Sequence, residues 1–256
     1  MQHSHSMPVS RIISETFAPL VDLVYPPRCP LCGEGLAEQR GLCASCWGEL
    51  AIPGEPNCRL CQRPFDSSSS HAIKTCAPCL EQPPLHDGIA AGTLYNDAAR
   101  RLVLSFKHGN KIALAPMLAR LIAARLPETD GDWLTVPVPL HRFRLWRRGF
   151  NQSALLAREL GRMGRAKPMV DGLLRTRATP ALGSLGKAQR ARTMEGVIAI
   201  NPRRMDQIKD AKILLVDDVL TSGATSGACV STLKQAGASK VVIACFSRVL
   251  DEALEA

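Results

Sequence analysis

Four Cys-x-x-Cys pairs, crowded into residues 29–79, restrict what the N-terminal part of this chain can fold into. They are Cys29/Cys32, Cys43/Cys46, Cys58/Cys61 and Cys76/Cys79. A Cys-x-x-Cys turn presents two sulfurs to one ion, and zinc takes four thiolates in a tetrahedron, so four pairs suit two ions with no open position. The region is short and rich in proline and glycine, and it could hardly build a core without metal. We therefore predict two structural zinc ribbons.

Alternatives remain open for these cysteines. Sequential pairing would give the first two pairs to one zinc and the last two to the other, but the spacing also permits interleaved pairing. Disulfides would be the competing use, although they are rare in a cytosolic chain. The two other cysteines, Cys229 and Cys245, lie in apolar helix and strand patterns, and we expect them to be buried packing residues.

The positive charge of the chain is concentrated in one stretch. The net charge is +9, and the segment from Leu140 to Arg204 holds 15 Lys and Arg against 3 Asp and Glu. Such a stretch indicates a polyanionic partner, either a phosphorylated ligand or nucleic acid, although a solvated basic face would look the same. No apolar run approaches the roughly 18 residues of a membrane span, and the polar start lacks a signal-peptide core. We expect a cytoplasmic chain without membrane insertion.

Strand-like and helix-like patterns alternate after Cys79. The strand patterns cover Gly88–Tyr95, Trp133–Pro139, Ile213–Asp218 and Lys240–Ser247. The helix patterns cover 97–105, 113–126, a run from Asn151, and 223–237. This alternation predicts an α/β domain with a mainly parallel sheet flanked by helices, whose sites lie at the carboxyl ends of strands. We expect a tail and docking helix over 1–25, a double zinc ribbon over 26–84, and the α/β domain over 85–256.

The segment ILLVDDVLTSGAT, residues 213–225, carries the clearest functional signal. Between a strand and a helix, TSGAT offers a tight turn at Gly223, hydroxyl donors and the positive end of the following helix, which together suit a phosphate. Asp217 and Asp218 repel phosphate, but they suit vicinal hydroxyls or a magnesium shell. Phosphate beside a diol describes a ribose 5-phosphate; a capped strand end with two solvated acids is the simpler alternative.

This segment resembles the signature with which type I phosphoribosyltransferases bind 5-phosphoribosyl 1-pyrophosphate (PRPP). The resemblance implies that fold, and it implies magnesium bound together with PRPP. Asp217 and Asp218 then take the catalytic position at the ribose hydroxyls. The residues implied to bind the 5-phosphate are Thr221, Ser222, Gly223, Ala224 and Thr225.

The order of motifs along the chain resembles the ComF family, in which Cys-x-x-Cys ribbons precede a phosphoribosyltransferase domain. The matching motifs are CPLCG at Cys29, FKHG at Phe106 and RGFNQ at Arg148. The basic stretch Arg175–Arg192 falls where the family has a mobile loop over PRPP. The residues implied to bind pyrophosphate or another anion are Lys107, Pro139, Leu140, His141, Arg147, Arg148 and Arg190.

Three classes of function follow. The first is an enzyme that transfers phosphoribose from PRPP to an acceptor. The second, implied by the association of ComF relatives with DNA uptake, is a protein that handles single-stranded DNA with DNA-uptake or recombination partners and keeps PRPP only as a ligand. The aromatic residues Phe143, Trp146 and Phe150, interleaved with arginines, would suit single strands, or they would be core packing. The third is a scaffold whose ribbons bind a protein.

Overall fold

A computed structural model describes residues 26–38, 41–65, 74–109, 111–128, 132–179 and 186–250. The docking helix expected before residue 25 lies outside these ranges. Two compact units, Met1–Glu49 and Leu50–Ala256, make up the chain. The second four-cysteine cluster therefore belongs to the same unit as the α/β sheet. The domain boundaries at 26 and 85 stay predictions.

The first unit is organised around four cysteines. Cys29, Cys43 and Cys46 are buried and form its small core, against which Leu31, Leu36 and Leu42 pack. An antiparallel bridge joins Arg28 to Gly35, and a short helix, α1 (Ala44–Gly48), carries Cys46. The described part of this unit contains no larger apolar core, which fits a metal-dependent ribbon.

The second unit contains a parallel sheet. Five strands are hydrogen-bonded in the order β1-β7-β6-β2-β3, and every neighbouring pair is parallel. The strands of this sheet are β1 (Ile89–Leu94), β2 (Trp133–Pro137), β3 (Lys167–Pro168), β6 (Lys212–Leu220) and β7 (Lys240–Arg248). A separate antiparallel pair is β4 (Leu173–Arg175) with β5 (Ile198–Ile200). The predicted α/β class is confirmed.

Helices connect the strands. Longer ones follow β1, precede β2, follow the β2 loop and follow β6, as crossovers between parallel strands require. The helices of this unit are α2 (Ala77–Glu81), α3 (Asp97–His108), α4 (Ala115–Ala123), α5 (Arg142–Arg148), α6 (Gln152–Arg162), α7 (Lys187–Met194), α8 (Met205–Ile208) and α9 (Ala224–Gln235). Single 3₁₀ turns cover Ile112–Leu114 and Pro202–Arg204. No helix in the described ranges is long and apolar enough to cross a membrane.

The sequence explains these elements. Ile213, Leu214, Leu215 and Val216 of β6 are all fully buried, as expected for a central parallel strand covered on both faces. Helix α3 begins where the Asn96 side chain accepts a hydrogen bond from the Ala99 N–H at 3.0 Å. The predicted strand from Trp133 ends two residues early, at Pro137, because Pro137 and Pro139 have no N–H to donate to a ladder.

One helix differs from expectation. The sequence patterns assign no element to the basic segment Arg142–Arg148, but it forms α5. His141 caps this helix by accepting from the Phe143 N–H, and Gly149 ends it in the left-handed conformation (φ 80°). Neither feature is marked by the hydrophobic periodicity from which helices were predicted.

The second ribbon is attached to the sheet through one unusual residue. The two ribbons repeat the same turn: the Gly33 N–H donates to Cys29 O, and the Gln62 N–H donates to Cys58 O. Gly33 has φ 81°, and Gln62 holds φ 55°, a conformation that is costly for a residue with a side chain. The Gln62 Oε1 accepts a hydrogen bond from the Ala91 N–H at 2.7 Å, on the free edge of β1. The ribbon thereby covers an edge strand of the sheet.

Candidate ligand site at the acidic pair of β6

The acidic pair lies where β6 loses one of its neighbours. β2 pairs with β6 up to Pro137 opposite Val216, and the Val138 N–H still reaches Val216 O at 2.9 Å. β7 continues beside β6 as far as Leu220. Asp217 and Asp218 are thus within the strand rather than at its end, on a stretch whose β2 side has opened into a cleft. This is the switch-like position where α/β sheets bind ligands.

Asp217 is held by neighbouring hydroxyls. Its Oδ1 accepts from Ser153 Oγ at 3.2 Å, and its Oδ2 accepts from Ser226 Oγ at 3.3 Å. Burial, reinforced by the charge of Asp218, raises the pKa of Asp217 to about 7, although Lys107 and the hydrogen bonds oppose this. A carboxylate kept in such surroundings is typical of functional sites.

Asp218 forms an ion pair. Its Oδ2 lies 2.9 Å from Lys107 Nζ of α3, and its Oδ1 accepts from the Val219 N–H at 2.8 Å. The Asp218 side chain is 11% exposed and that of Lys107 is 25% exposed. Lys107 therefore lies at the cleft, and Asp218 compensates part of its positive charge.

A cavity of about 230 Å³ collects these groups with further cations; we call it the acidic cavity. Four basic side chains, carried by two helices and one strand, line it: Lys107, Arg144, Arg148 and Arg175. Of the residues predicted for ligand binding, those that line it are Lys107, Pro139, Leu140, Arg148, Asp217, Asp218 and Thr225. Sequence patterns separated by a hundred residues are thus brought together around one space.

Arg144 and Arg175 were not among the predicted site residues. Arg144 Nη2 donates to Thr179 O at 2.9 Å, and Arg175 donates to Thr179 Oγ1. Burial lowers the pKa of Arg175, and the charge of Arg144 adds to this effect. Two neighbouring guanidinium groups at one cavity indicate an anion site. Arg175 lies on β4, whose position the local sequence pattern does not reveal.

The small-residue loop has the predicted form. Gly223 adopts φ 73° and begins α9, and the Gly227 N–H donates to Gly223 O at 2.6 Å. Thr225 lines the acidic cavity, whereas Thr221, Ser222 and Gly223 line a second cavity and Ala224 a third. Their assignment to a 5-phosphate stays a prediction. Ser226, which the pattern did not single out, is the loop residue that contacts Asp217.

The other predicted anion-binding residues have different positions. His141 is buried as the cap of α5, Arg147 is exposed on that helix, and Arg190 lies on α7. None of the three lines the acidic cavity as the described residues form it. Pro139 and Leu140 do, in the loop that ends at His141.

Asn151 and Gln152 fix the other wall of the cavity. Asn151 Oδ1 caps α6 by accepting from the Ser153 N–H, while its Nδ2 donates to Val138 O at 3.0 Å. The same side chain therefore caps the helix and holds the loop after β2. Gln152 is 2% exposed; its Oε1 accepts from Arg148 Nη1 at 3.0 Å, and its Nε2 has no partner among the described residues.

The outer face of α5 is aromatic and basic. Trp146 is 87% exposed and Phe143 is 64% exposed, with the Arg142 guanidinium 5.2 Å from the Phe143 ring centre. The alternative that these two aromatics are core residues is therefore wrong. Phe150 differs, because it is half-buried and its ring lies 6.3 Å from that of Phe106.

The cysteines form two sets in sequential pairing. The four Sγ atoms of each set lie within 4.8 Å of one another. A zinc ion at about 2.3 Å from each sulfur separates the sulfurs by about 3.8 Å, so both sets fit tetrahedral zinc. The two sets are Cys29, Cys32, Cys43 and Cys46, and Cys58, Cys61, Cys76 and Cys79. Cys229 and Cys245 are fully buried, as predicted.

Hydrogen bonds prepare both sets for a cation. Burial disfavours the thiolate of Cys29, but backbone N–H groups, that of Cys43 foremost, outweigh it and lower the pKa of Cys29 to about 6. Burial likewise opposes ionisation of Cys58, yet the Cys76 N–H contacts its sulfur at 3.4 Å and the pKa of Cys58 falls to about 7. Each set thus holds one thiol that ionises readily, as a zinc ligand must.

Comparison with known proteins agrees with this description. Residues 20–83 match the model of the double zinc ribbon domain. The chain is 29% identical over 235 residues to DNA utilization protein YhgH of Escherichia coli O6:H1, which covers 89% of this chain and 100% of the relative. It is 27% identical over 223 residues to Competence protein F of Haemophilus influenzae, covering 84% of this chain and 94% of the relative. The resemblance to the ComF family is confirmed. The sequence similarity covers both the ribbon region and the α/β region of the chain.

Proposed function

We propose that this ComF-like chain binds PRPP with magnesium at the acidic cavity and acts in the use or uptake of DNA. The observation that carries the proposal is the meeting of one acidic pair with four basic side chains around a single space. PRPP has the matching chemistry, with a diol, a pyrophosphate and a 5-phosphate on one ribose. A ligand with phosphate alone would be repelled by the acids.

The diol fits the acids because carboxylates accept hydrogen bonds from hydroxyls. Asp218 is the better candidate for a direct contact, since its Oδ2 contacts the partly exposed side chain of Lys107 and no other group among the described residues. Asp217, whose oxygens accept from Ser153 and Ser226, is expected to keep its place and orient the pair.

The pyrophosphate fits the basic side of the cavity. Arg144 and Arg175 come close enough for the charge of one to lower the pKa of the other, and an anion would relieve that repulsion. Magnesium bound together with PRPP would offset the charge of the pyrophosphate. The 5-phosphate would lie on the backbone N–H groups around Gly223, at the start of α9.

The role in DNA use is taken from the relatives. Two similar proteins are named for DNA utilization and for competence. The alignments cover 89% and 84% of this chain, so they include ribbon and sheet sequences alike.

Titration calorimetry tests the ligand. Zinc-loaded full chain is titrated with PRPP and magnesium, beside the Asp217→Asn/Asp218→Asn variant and beside Asp206→Asn, which changes an exposed acid outside the cavity. We expect binding by the wild type and Asp206→Asn and its loss in the double variant. Equal binding by all three would overturn the proposal. Pyrophosphate release that requires both aspartates would add phosphoribosyl transfer to binding.

A second function is favoured by the outer face of α5: binding of single-stranded nucleic acid. Exposed aromatic rings stack on bases of any sequence, and Arg142 and Arg147 beside Phe143 and Trp146 offer charge for the backbone. The helix holds four arginines and no acid within Arg142–Arg148. Trp146, 87% exposed among the described residues, therefore presents its ring for stacking.

Tryptophan substitution separates this function from PRPP binding. Trp146→Ala should weaken binding of a short oligothymidylate by about tenfold or more, because a stacked base contributes about 1–3 kcal/mol. Trp47→Ala, at the other exposed tryptophan of the described residues, is the matched control and should change nothing. Equal affinity of the two variants would refute the assignment to α5.

A further inference from the structure

A second cavity, of about 290 Å³, adjoins the small-residue loop and shares no lining residue with the acidic cavity. We call it the Arg248 pocket. Most of its wall is apolar, formed by Leu85, Ile89, Val230 and Ile243. The rest of the wall includes the loop residues Thr221, Ser222 and Gly223 and the polar side chains of His86 and Arg248. It therefore offers a separate binding space within the same unit.

Two polar atoms in this apolar wall lack partners. Arg248 Nη1 and His86 Nδ1 are both shielded from solvent, and neither forms a hydrogen bond with any residue that the structure describes. A buried guanidinium or imidazole nitrogen without a partner costs about 1–3 kcal/mol or more. Both residues line the pocket, so a ligand with an acceptor group would satisfy them together.

Arg248 supplies the cation of the pocket lining. Burial lowers the pKa of His86 to about 4, with the charge of Arg248 adding to the effect, so the imidazole is neutral near pH 7. The neighbouring Asp87 is engaged elsewhere, since its Oδ2 accepts from Lys234 Nζ at 2.7 Å and from the Val241 N–H at 2.6 Å. Among the described residues, the lining holds no Asp or Glu beside Arg248, although it includes Cys61 of the second cysteine set, whose sulfur would be engaged by zinc.

Two glycines leave the pocket open on the side of α9. A Cβ atom built at Gly223 or at Gly227 would meet nothing within 4 Å. A larger side chain at Gly227, which lies inside the helix, would therefore start into this open space. The opening suits a flat group lying across the start of the helix.

We propose that the Arg248 pocket binds a small planar aromatic anion with one carboxylate. Its carboxylate would accept hydrogen bonds from Arg248 and His86, and its ring would pack between Leu85, Ile89 and Ile243. The pocket shares Thr221, Ser222 and Gly223 with the loop proposed for the 5-phosphate of PRPP, but the acidic pair does not line it, so the probe should bind whether or not Asp217 and Asp218 are intact.

The test measures binding of two probes, 1-naphthoate and its neutral counterpart 1-naphthamide, to the zinc-loaded full chain. Fluorescence titration gives the affinity of each probe. We expect naphthoate to bind at least about tenfold more tightly than naphthamide, because a charge-assisted hydrogen bond contributes about 1.5–3 kcal/mol. Arg248→Met should remove that difference, and Arg162→Met, at an exposed arginine of α6, should preserve it.

Further variants keep the test decisive if Arg248→Met folds poorly. Gly227→Leu should abolish binding of both probes, and Asp217→Asn/Asp218→Asn should leave both unchanged. Equal affinity for the two probes in the wild type, unchanged binding in Gly227→Leu, or no binding at about ten millimolar would each overturn the proposal. Loss of PRPP binding in the acidic variant with probe binding retained would separate the two sites.

Discussion

Replacing Asp217 with asparagine should stabilise the fold at alkaline pH. The carboxyl group titrates near 3.8 in an ordinary environment, but burial and the charge of Asp218 raise its pKa to about 7 in the folded chain. Below pH 4 the group is protonated in both states and contributes nothing. Between pH 4 and 7 the unfolded chain has released the proton and the folded chain still holds it, so stability falls as pH rises. Above pH 7 the loss is complete.

The size of the effect follows from the same shift. One pKa unit corresponds to about 1.4 kcal/mol, so raising the pKa of Asp217 from 3.8 to about 7 corresponds to at most about 4 kcal/mol. Asp217 keeps part of its surface open to the cleft, and water there relieves part of the cost. We expect about 2 kcal/mol. The asparagine amide is the same size and can keep both serine contacts, because hydroxyl groups rotate between donor and acceptor roles.

Urea unfolding of wild type and Asp217→Asn, with zinc and without added magnesium, measures this difference at several pH values. The variant should be more stable at pH 8 by about 2 kcal/mol, and the gap should shrink steadily towards pH 5. Zinc affects both proteins alike and cancels in the comparison. A gap that does not change with pH, or a less stable variant at pH 8, would refute the reasoning.

Further predictions concern the ribbons. Gln62→Ala leaves the Ala91 N–H without its partner and should lower the free energy of unfolding by about 1–3 kcal/mol. Gln62→Gly should be about 1 kcal/mol more stable than Gln62→Ala, because glycine adopts the left-handed conformation of this position without strain. Chemical denaturation would show this order, and the reverse order would contradict it. Cys61→Ser should lower the thermal midpoint of the sheet more than Cys32→Ser, because Cys61 lies in the main apolar core and Cys32 belongs to the other cysteine set. Zinc release and circular dichroism, followed together, would check this, and equal midpoints would count against it.

Much of the site could be predicted because its signals are local in sequence. The aliphatic run of β6, the acids Asp217 and Asp218 and the turn at Gly223 follow one another within a few residues. Strand period, turn chemistry and helix start then agree on one structure. The four Cys-x-x-Cys pairs are equally local, but spacing left their grouping open, and the sequential grouping is given by the positions of the sulfurs in the structure.

The rest depends on contacts between distant segments. Arg144 of α5 and Arg175 of β4, a strand paired with β5, both donate hydrogen bonds to Thr179. No local sequence pattern predicts that these two arginines lie close together. Gln62 looks like an ordinary polar residue between cysteines, yet its side chain joins the second ribbon to β1. Trp146 was ambiguous for the same reason, because exposure is decided by what packs against a helix rather than by the spacing along it.

The most direct measurement is a crystal structure of the zinc-loaded chain with magnesium and PRPP. The account predicts the ribose hydroxyls within hydrogen-bond distance of Asp218, the pyrophosphate beside Arg144 and Arg175, and the 5-phosphate on the N–H groups around Gly223. PRPP bound elsewhere, or an acidic cavity without PRPP at saturating concentration, would contradict it.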